Sequence, residues 1–349
     1  MRFLVFICSI TILVACQNVQ NPEEKLAQST TALAQALYGN LSESLGVMLG
    51  KTESYCRSSA KASKKDLQEQ WKIIMLQWQA ASVINFGPIT VGSMSWKFQF
   101  WPDRRNLVKT KVDEALQEDS ELDLTGIGNT NVAARGMGAA EYLLFEYPGL
   151  IPNSIQCKYL QVVVADMKRN SVRLSRDWQD GEKRYPVELI TFARTQPEGY
   201  IDVKPVSSLL INSLYVELEQ VYRKLSLPLG EGEKKGNRYM AESWRSKMSL
   251  LNLVSSLTSA KNLFLAGDGY GLDDRLEGYG DEGKKLVSSV MESFACIEAG
   301  LKRFQKPLSS SVEHTEDRVK VRDLVEEVKQ LQRLFGYDIP RLLEIPVSS

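Results

Sequence analysis

The chain has 349 residues, and its 43 basic and 43 acidic side chains cancel to a formal net charge of zero. No global field steers it toward nucleic acid or a strongly charged partner. A single histidine, His314, excludes any zinc peptidase that needs two imidazoles one helical turn apart.

The first sixteen residues read as an export signal: Met1-Arg2, an apolar run to Ala15, then Cys16. That run is shorter than the roughly 20 residues a membrane-spanning helix needs. Leu13-Val14-Ala15-Cys16 has the small residues and the thiol of a lipobox, so Cys16 is the expected lipidation site. Gln17 follows instead of Asp, which points to the outer membrane, with the protein facing the periplasm. The expected partner is therefore the lipid bilayer, through an N-terminal acyl anchor. With Cys8 removed and Cys16 lipidated, Cys56, Cys157 and Cys296 remain. In an oxidising compartment Cys56 and Cys157, in the same half of the chain, are expected to pair, while Cys296 reads as a buried thiol on a helix.

Downstream the pattern is helical. Residues 23–49 repeat Leu26, Leu33, Leu37, Leu41, Leu45 and Met48 at helical spacing, and Trp71, Met75, Trp78 and Ser82 form a second stripe. Residues 96–100 alternate aromatic and polar side chains, which predicts an extended connection or small hairpin. Helices are predicted over 133–145, 159–178, 209–225, 238–265, 286–304 and 319–335. His314 reads as a solvated residue near the start of the last one. Helices of this length joined by Gly/Pro loops predict an all-α protein of two packed four-helix bundles. The expected units are the signal at 1–16, an N-terminal bundle over 17–199 and a C-terminal bundle over 200–349.

Several constellations are candidates for chemistry. On the 133–145 helix, Met137, Gly138, Glu141, Leu144 and Phe145 share one face. Glu141 is its only charge, and Gly138 leaves space above the carboxylate. A buried carboxylate needs a partner, so Glu141 is either half of a structural pair or a site residue. The candidate partners are Arg104, Arg245 and the Ser243–Ser246 turn, since Arg135 falls on a different face. Phe86-Gly87-Pro88 and Phe100-Trp101-Pro102-Asp103-Arg104 shape turns in which Asp103 caps the following helix. Glu242, Ser243 and Ser246 open the long helix predicted over 238–265. The glycine-rich stretch 266–271 lacks a P-loop lysine and reads as a turn. Asp268, Asp273, Asp274 and Glu277 lack EF-hand spacing and read as an acidic surface.

Taken together, Arg135-Gly136-x-x-Ala139-x-Glu141-Tyr142-Leu143-Leu144-Phe145, the 78–103 block, 225–246 and Gly267-x-Gly269-x-Gly271-Leu272 resemble the imelysin family over roughly 23–335. The resemblance implies two helical bundles with a site in the cleft between them, at the bacterial surface or periplasm, with links to iron uptake. The family signature, Gly-x-His-x-x-Glu, is proposed to bind metal. Gly136 and Glu141 match it here, but Gly138 stands at the histidine position. The expected function is therefore a non-enzymatic component that binds an unknown small ligand or protein partner, without metal, cofactor or catalytic residues, in iron or nutrient uptake. Its expected binding cleft comprises Trp101, Asp103, Arg104, Arg135, Gly136, Gly138, Glu141, Glu242, Ser243 and Ser246. The alternatives are a metal-dependent peptidase using Glu141 and an interaction scaffold at the outer membrane.

Overall fold

A computed structural model describes residues 21–58, 62–117, 123–179, 184–195, 204–230 and 236–345. The signal segment, Cys16 and the expected division near residue 200 lie outside the described residues. Helix α1 (Pro22–Cys56) starts where the Asn21 side chain accepts the Glu23 N–H at 3.0 Å, with proline in its first turn. Helix α2 (Lys64–Ala81) opens with a capping box in which Ser63 and Asp66 satisfy each other's backbone donors. A 3-10 turn at Gly87–Ser93 leads into α3 (Met94–Phe98), α4 (Leu107–Gln117) and α5 (Leu124–Asn129). Helix α6 (Gly136–Glu141) widens without a break into a π turn at Tyr142–Glu146. Helices α7 (Ile155–Asp177), α8 (Tyr185–Arg194), α9 (Pro205–Leu229) and α10 (Ser249–Leu265) follow. The chain continues through α11 (Leu272–Glu277), α12 (Asp281–Leu301), α13 (Leu308–Ser311), α14 (Thr315–Arg333), a second π turn (Leu334–Asp338) and α15 (Ile339–Leu342).

Among the described residues there is no strand, and no helix is long and apolar enough to cross a membrane. The protein is all-α. Helix α1 packs on α2 and α7, with α6 against α2 and α7, while α9 and α12 pack on α14 and α10 lies on α9 and α12. The two groups meet where α2 lies on α10 and α1 on α9. One apolar core runs through both, anchored by Trp71, Trp178, Tyr38 and Tyr159 on one side and Phe264 against Phe335 on the other. Buried indoles are placed by their N–H as well as their area: Trp71 Nε1 donates to Met137 O at 3.1 Å, fixing α2 against α6. A disulfide joins Cys56 at the end of α1 to Cys157 at the start of α7, Cα atoms 5.5 Å apart.

Three local expectations are corrected. Residues 94–98 are helical, because Met94 and Phe98, four residues apart, both face the core while Trp96 points outward, 45 % exposed. Over five residues an alternating pattern and a helical one are indistinguishable. The helix expected from 238 begins only at Ser249, since 241–247 form successive turns with Ser243 and Lys247 at positive φ. Cys296 is exposed, because the buried stripe of α12 runs through Val290, Phe294, Ile297 and Leu301 and leaves it on the outer face.

Candidate functional site

Where α2 meets α9 and α10, the two groups of helices bury polar side chains instead of apolar ones. Helix α9 presents Leu210, Leu214, Glu217, Val221 and Lys224 at helical spacing, all buried. Glu217 and Lys224, seven residues apart, share a face. Helix α2 contributes Trp78, Gln79 and Ser82, the stretch after α3 contributes Gln99 and Trp101, and the 241–247 turns contribute Glu242. A cavity of about 260 Å³ lies among these groups.

Glu242 is held from every side. Its Oε1 accepts from Gln99 Nε2 at 2.9 Å and Gln79 Nε2 at 3.2 Å and lies 3.5 Å from Lys224 Nζ. Its Oε2 accepts from Asn252 Nδ2 at 2.9 Å. Lys224 Nζ also donates to Gln79 Oε1 and, at 3.4 Å, to Ser256 Oγ. The Gln79 amide is thereby oriented, its oxygen toward the ammonium and its nitrogen toward the carboxylate. Trp78 Nε1 donates to Gln99 Oε1 at 2.7 Å, closing the network. A buried ion pair with all its remaining capacity satisfied is tolerable, whereas a half-satisfied one is not.

Glu217 is the half-satisfied member. It is 2 % exposed, its Oε2 accepts Ser82 Oγ–H at a long 3.4 Å, and its Oε1 has no partner. Burial raises its carboxyl to about 7, against the pull of Lys224 and the nearby hydroxyls.

Glu141 lies in an adjoining pocket. Its Oε1 accepts Ser246 N–H at 2.8 Å and Ser246 Oγ–H at 2.7 Å, and burial holds its carboxyl above the usual range. The partner is thus the 243–246 turn. Arg245 instead bonds Glu146 at 2.5 Å and Asn106. The space above Gly138 is taken by Val108, 3.3 Å from where a Cβ would stand, because α4 packs there. About 30 Å³ remains, room for one water rather than a ligand.

The other expected site residues divide. Trp101 lines both cavities, Glu242 the larger and Ser243 the smaller. The Ser243 hydroxyl accepts from Asn252 Nδ2 at 3.0 Å. Asp103 caps α4, accepting Leu107 N–H at 2.5 Å. Arg104 is exposed and lines neither cavity. Arg135 turns away from the cleft to pair with Asp166 at 2.5 Å and Gly128 O at 3.1 Å. Gly136 is structural: at φ +70° it lets α6 begin 2.4 Å, from an added Cβ, to Phe98 O. His314 is exposed at the N-terminus of α14, and Asp274 caps α11 by accepting the Gly271 N–H at 2.9 Å.

Sequence reasoning missed Gln79, Gln99, Glu217, Lys224 and Asn252. For Glu217 and Lys224 the signal was present, as two charges in the apolar register of α9.

The imelysin (peptidase M75) family model matches residues 34–335. The chain belongs to the imelysin family. Its fold is similar to that of an imelysin-like protein from Psychrobacter arcticum 273-4, with a TM-score of 0.78 at 18% identity over 95% of this chain and 99% of that one. It is also similar to a protein described as an iron-regulated protein A precursor from Parabacteroides distasonis ATCC 8503, with a TM-score of 0.71 at 14% identity over 96% and 97%. No curated protein sequence matches the chain.

Proposed function

We propose that this imelysin-family chain is a lipid-anchored, periplasm-facing binding protein that holds a small ligand in the cavity between its bundles and breaks no bonds. The observation that carries the reading is the cavity itself: a rigid polar cradle around Glu242, beside a carboxyl group, Glu217, with one oxygen left without a partner. Few buried polar groups in native proteins stay unpaired without a functional reason. Against a hydrolytic role stands the state of Glu141, which spends one oxygen on both donors of Ser246. Among the described residues no three His, Cys, Asp or Glu side chains gather as a metal site, and the lone imidazole is at the surface. The setting we propose is nutrient acquisition, with iron supply first, because a structural relative is described as iron-regulated. Lipidation at Cys16 supplies the anchor and predicts palmitate labelling that Cys16→Ser abolishes.

The test is a titration of the full mature chain with the low-mass fraction of the producing cell's periplasm, read by tryptophan fluorescence and thermal unfolding. The wild type is expected to respond, and Ser95→Trp, which plugs the cavity from its exposed rim, is not. An equal response in both, or cleavage of an unfolded protein substrate by the pure chain that Glu141→Gln abolishes, overturns the reading.

A further inference from the structure

The cavity is chemically lopsided. Its lining carries two carboxylates, Glu217 and Glu242, against one ammonium, Lys224. Lys224 and Glu242 are occupied with each other and with Gln79, Gln99 and Asn252. The surplus acidic group is Glu217, whose Oε1 lacks any donor. The same lining holds three indoles. Trp78 is stacked on Phe98 at 4.7 Å and serves as a wall. Trp96 is 45 % exposed and Trp101 half-buried, so their rings stand where the cavity meets solvent.

Aromatic faces attract positive charge, and a carboxylate short of donors attracts N–H groups. An anion in this space would face two carboxylates at close range. A bare metal ion would need several convergent ligands, and among the described residues no three His, Cys, Asp or Glu side chains come together. We propose that the cavity takes a small organic cation bearing N–H donors, a primary amine or a guanidine. Its N–H groups meet the Glu217 carboxyl group and its charge rests against Trp96 and Trp101. This rests on the cavity being the binding site. A volume of about 260 Å³ lies at the small end for ligand pockets, so the cation is compact. Lys224 on α9 and Glu242 on the 241–247 turns are the charged groups that face Glu217, and neither supplies the missing donor. Because burial lifts the Glu217 carboxyl to about 7, a bound cation displaces its proton, and affinity rises from slightly acid to slightly alkaline pH.

The experiment is calorimetric titration of the full mature chain with agmatine, putrescine, choline, urea, phosphate and Zn²⁺. Agmatine or putrescine is expected to bind one to one, more tightly as pH rises through neutrality, with urea and phosphate silent. Glu217→Gln should weaken binding at least about tenfold. Trp96→Ala, at an exposed position that does not endanger folding, should weaken it about threefold or more. The proposal is overturned if no amine or guanidine binds, if both variants bind undiminished, if choline binds as well as agmatine, or if Zn²⁺ binds at Glu217 in their place. Should no cation bind while Ser95→Trp still abolishes the response to the periplasmic fraction, the ligand class falls and the cavity stands. Should Ser95→Trp change nothing, the cavity reading falls too.

Discussion

Replacing Glu141 by alanine and by glutamine separates a structural clamp from a buried charge pair. In the folded chain Glu141 Oε1 accepts both Ser246 N–H at 2.8 Å and Ser246 Oγ–H at 2.7 Å, with no cation in contact. Alanine strands the buried N–H, a loss of about 1–3 kcal/mol. The hydroxyl retains Ser243 O as an acceptor at 3.1 Å, so its share is smaller. With the packing lost from a fully buried side chain, Glu141→Ala should cost about 2–4 kcal/mol. Glutamine keeps a carbonyl oxygen in the same place. Burial already disfavours the carboxylate's charge, so Glu141→Gln should cost about 1 kcal/mol or less. Urea denaturation of the mature chain at neutral pH, with equal slopes for all three proteins, measures the differences directly. The reasoning is refuted if alanine is as stable as wild type. It is equally refuted if glutamine costs as much as alanine, because that pattern requires a buried cation left without its counter-charge.

Other consequences are independent of Glu141. The folded Glu217 carboxyl titrates at about 7, well above an unfolded glutamate. Its contribution is therefore fully present below the unfolded value and lost as pH rises through about 7, a swing on the order of 3 kcal/mol. Glu217→Gln stays neutral, so wild type should fall relative to it between about pH 5 and 8 in denaturation midpoints; a pH-independent difference would show that the group is not buried as a neutral acid. Gly136→Ala forces a Cβ toward Phe98 O at 2.4 Å from a positive-φ backbone, and should lower stability by about 2 kcal/mol or more in the same assay. Reducing the Cys56–Cys157 disulfide opens a loop of sequence separation 101, with an expected loss of about 2–5 kcal/mol in thermal unfolding with and without reductant. Asp166→Asn leaves Arg135 buried without its charge partner, and should cost about 3–5 kcal/mol, with ligand binding by the surviving folded fraction unchanged.

How far the sequence could be read follows from the range of each signal. The long helices repeat an apolar stripe over many turns, so α1, α7, α9 and α14 were legible, as was the all-α class. Short pieces were not: in 94–98 one buried Met94–Phe98 pair decides the geometry, and five residues carry no period. The 241–247 turns look helical locally, yet Ser246 N–H serves Glu141, 105 residues away, and no local pattern reports that bond. Glu141 was visible as the one charge on an apolar helix face, and Glu242 as part of the turn expected to open a helix. Gln79, Gln99 and Asn252 were not, because a glutamine or asparagine is common on any helix and its role exists only once α2, α9 and α10 converge. Arg135 illustrates the reverse error. The family resemblance placed it in the cleft, but one residue before α6 the backbone is extended, which sends its side chain to Asp166.

The central claim, that the space between the bundles holds a small ligand, is tested most directly by native mass spectrometry. The chain would be purified from its own membranes under non-denaturing conditions, alongside Ser95→Trp. The account expects a one-to-one small-molecule adduct on wild type, basic in character, released on unfolding and missing from the plugged variant. An adduct retained unchanged by Ser95→Trp, or wild-type protein that stays free of any adduct when saturated with the cell's own low-mass periplasmic fraction, would contradict it.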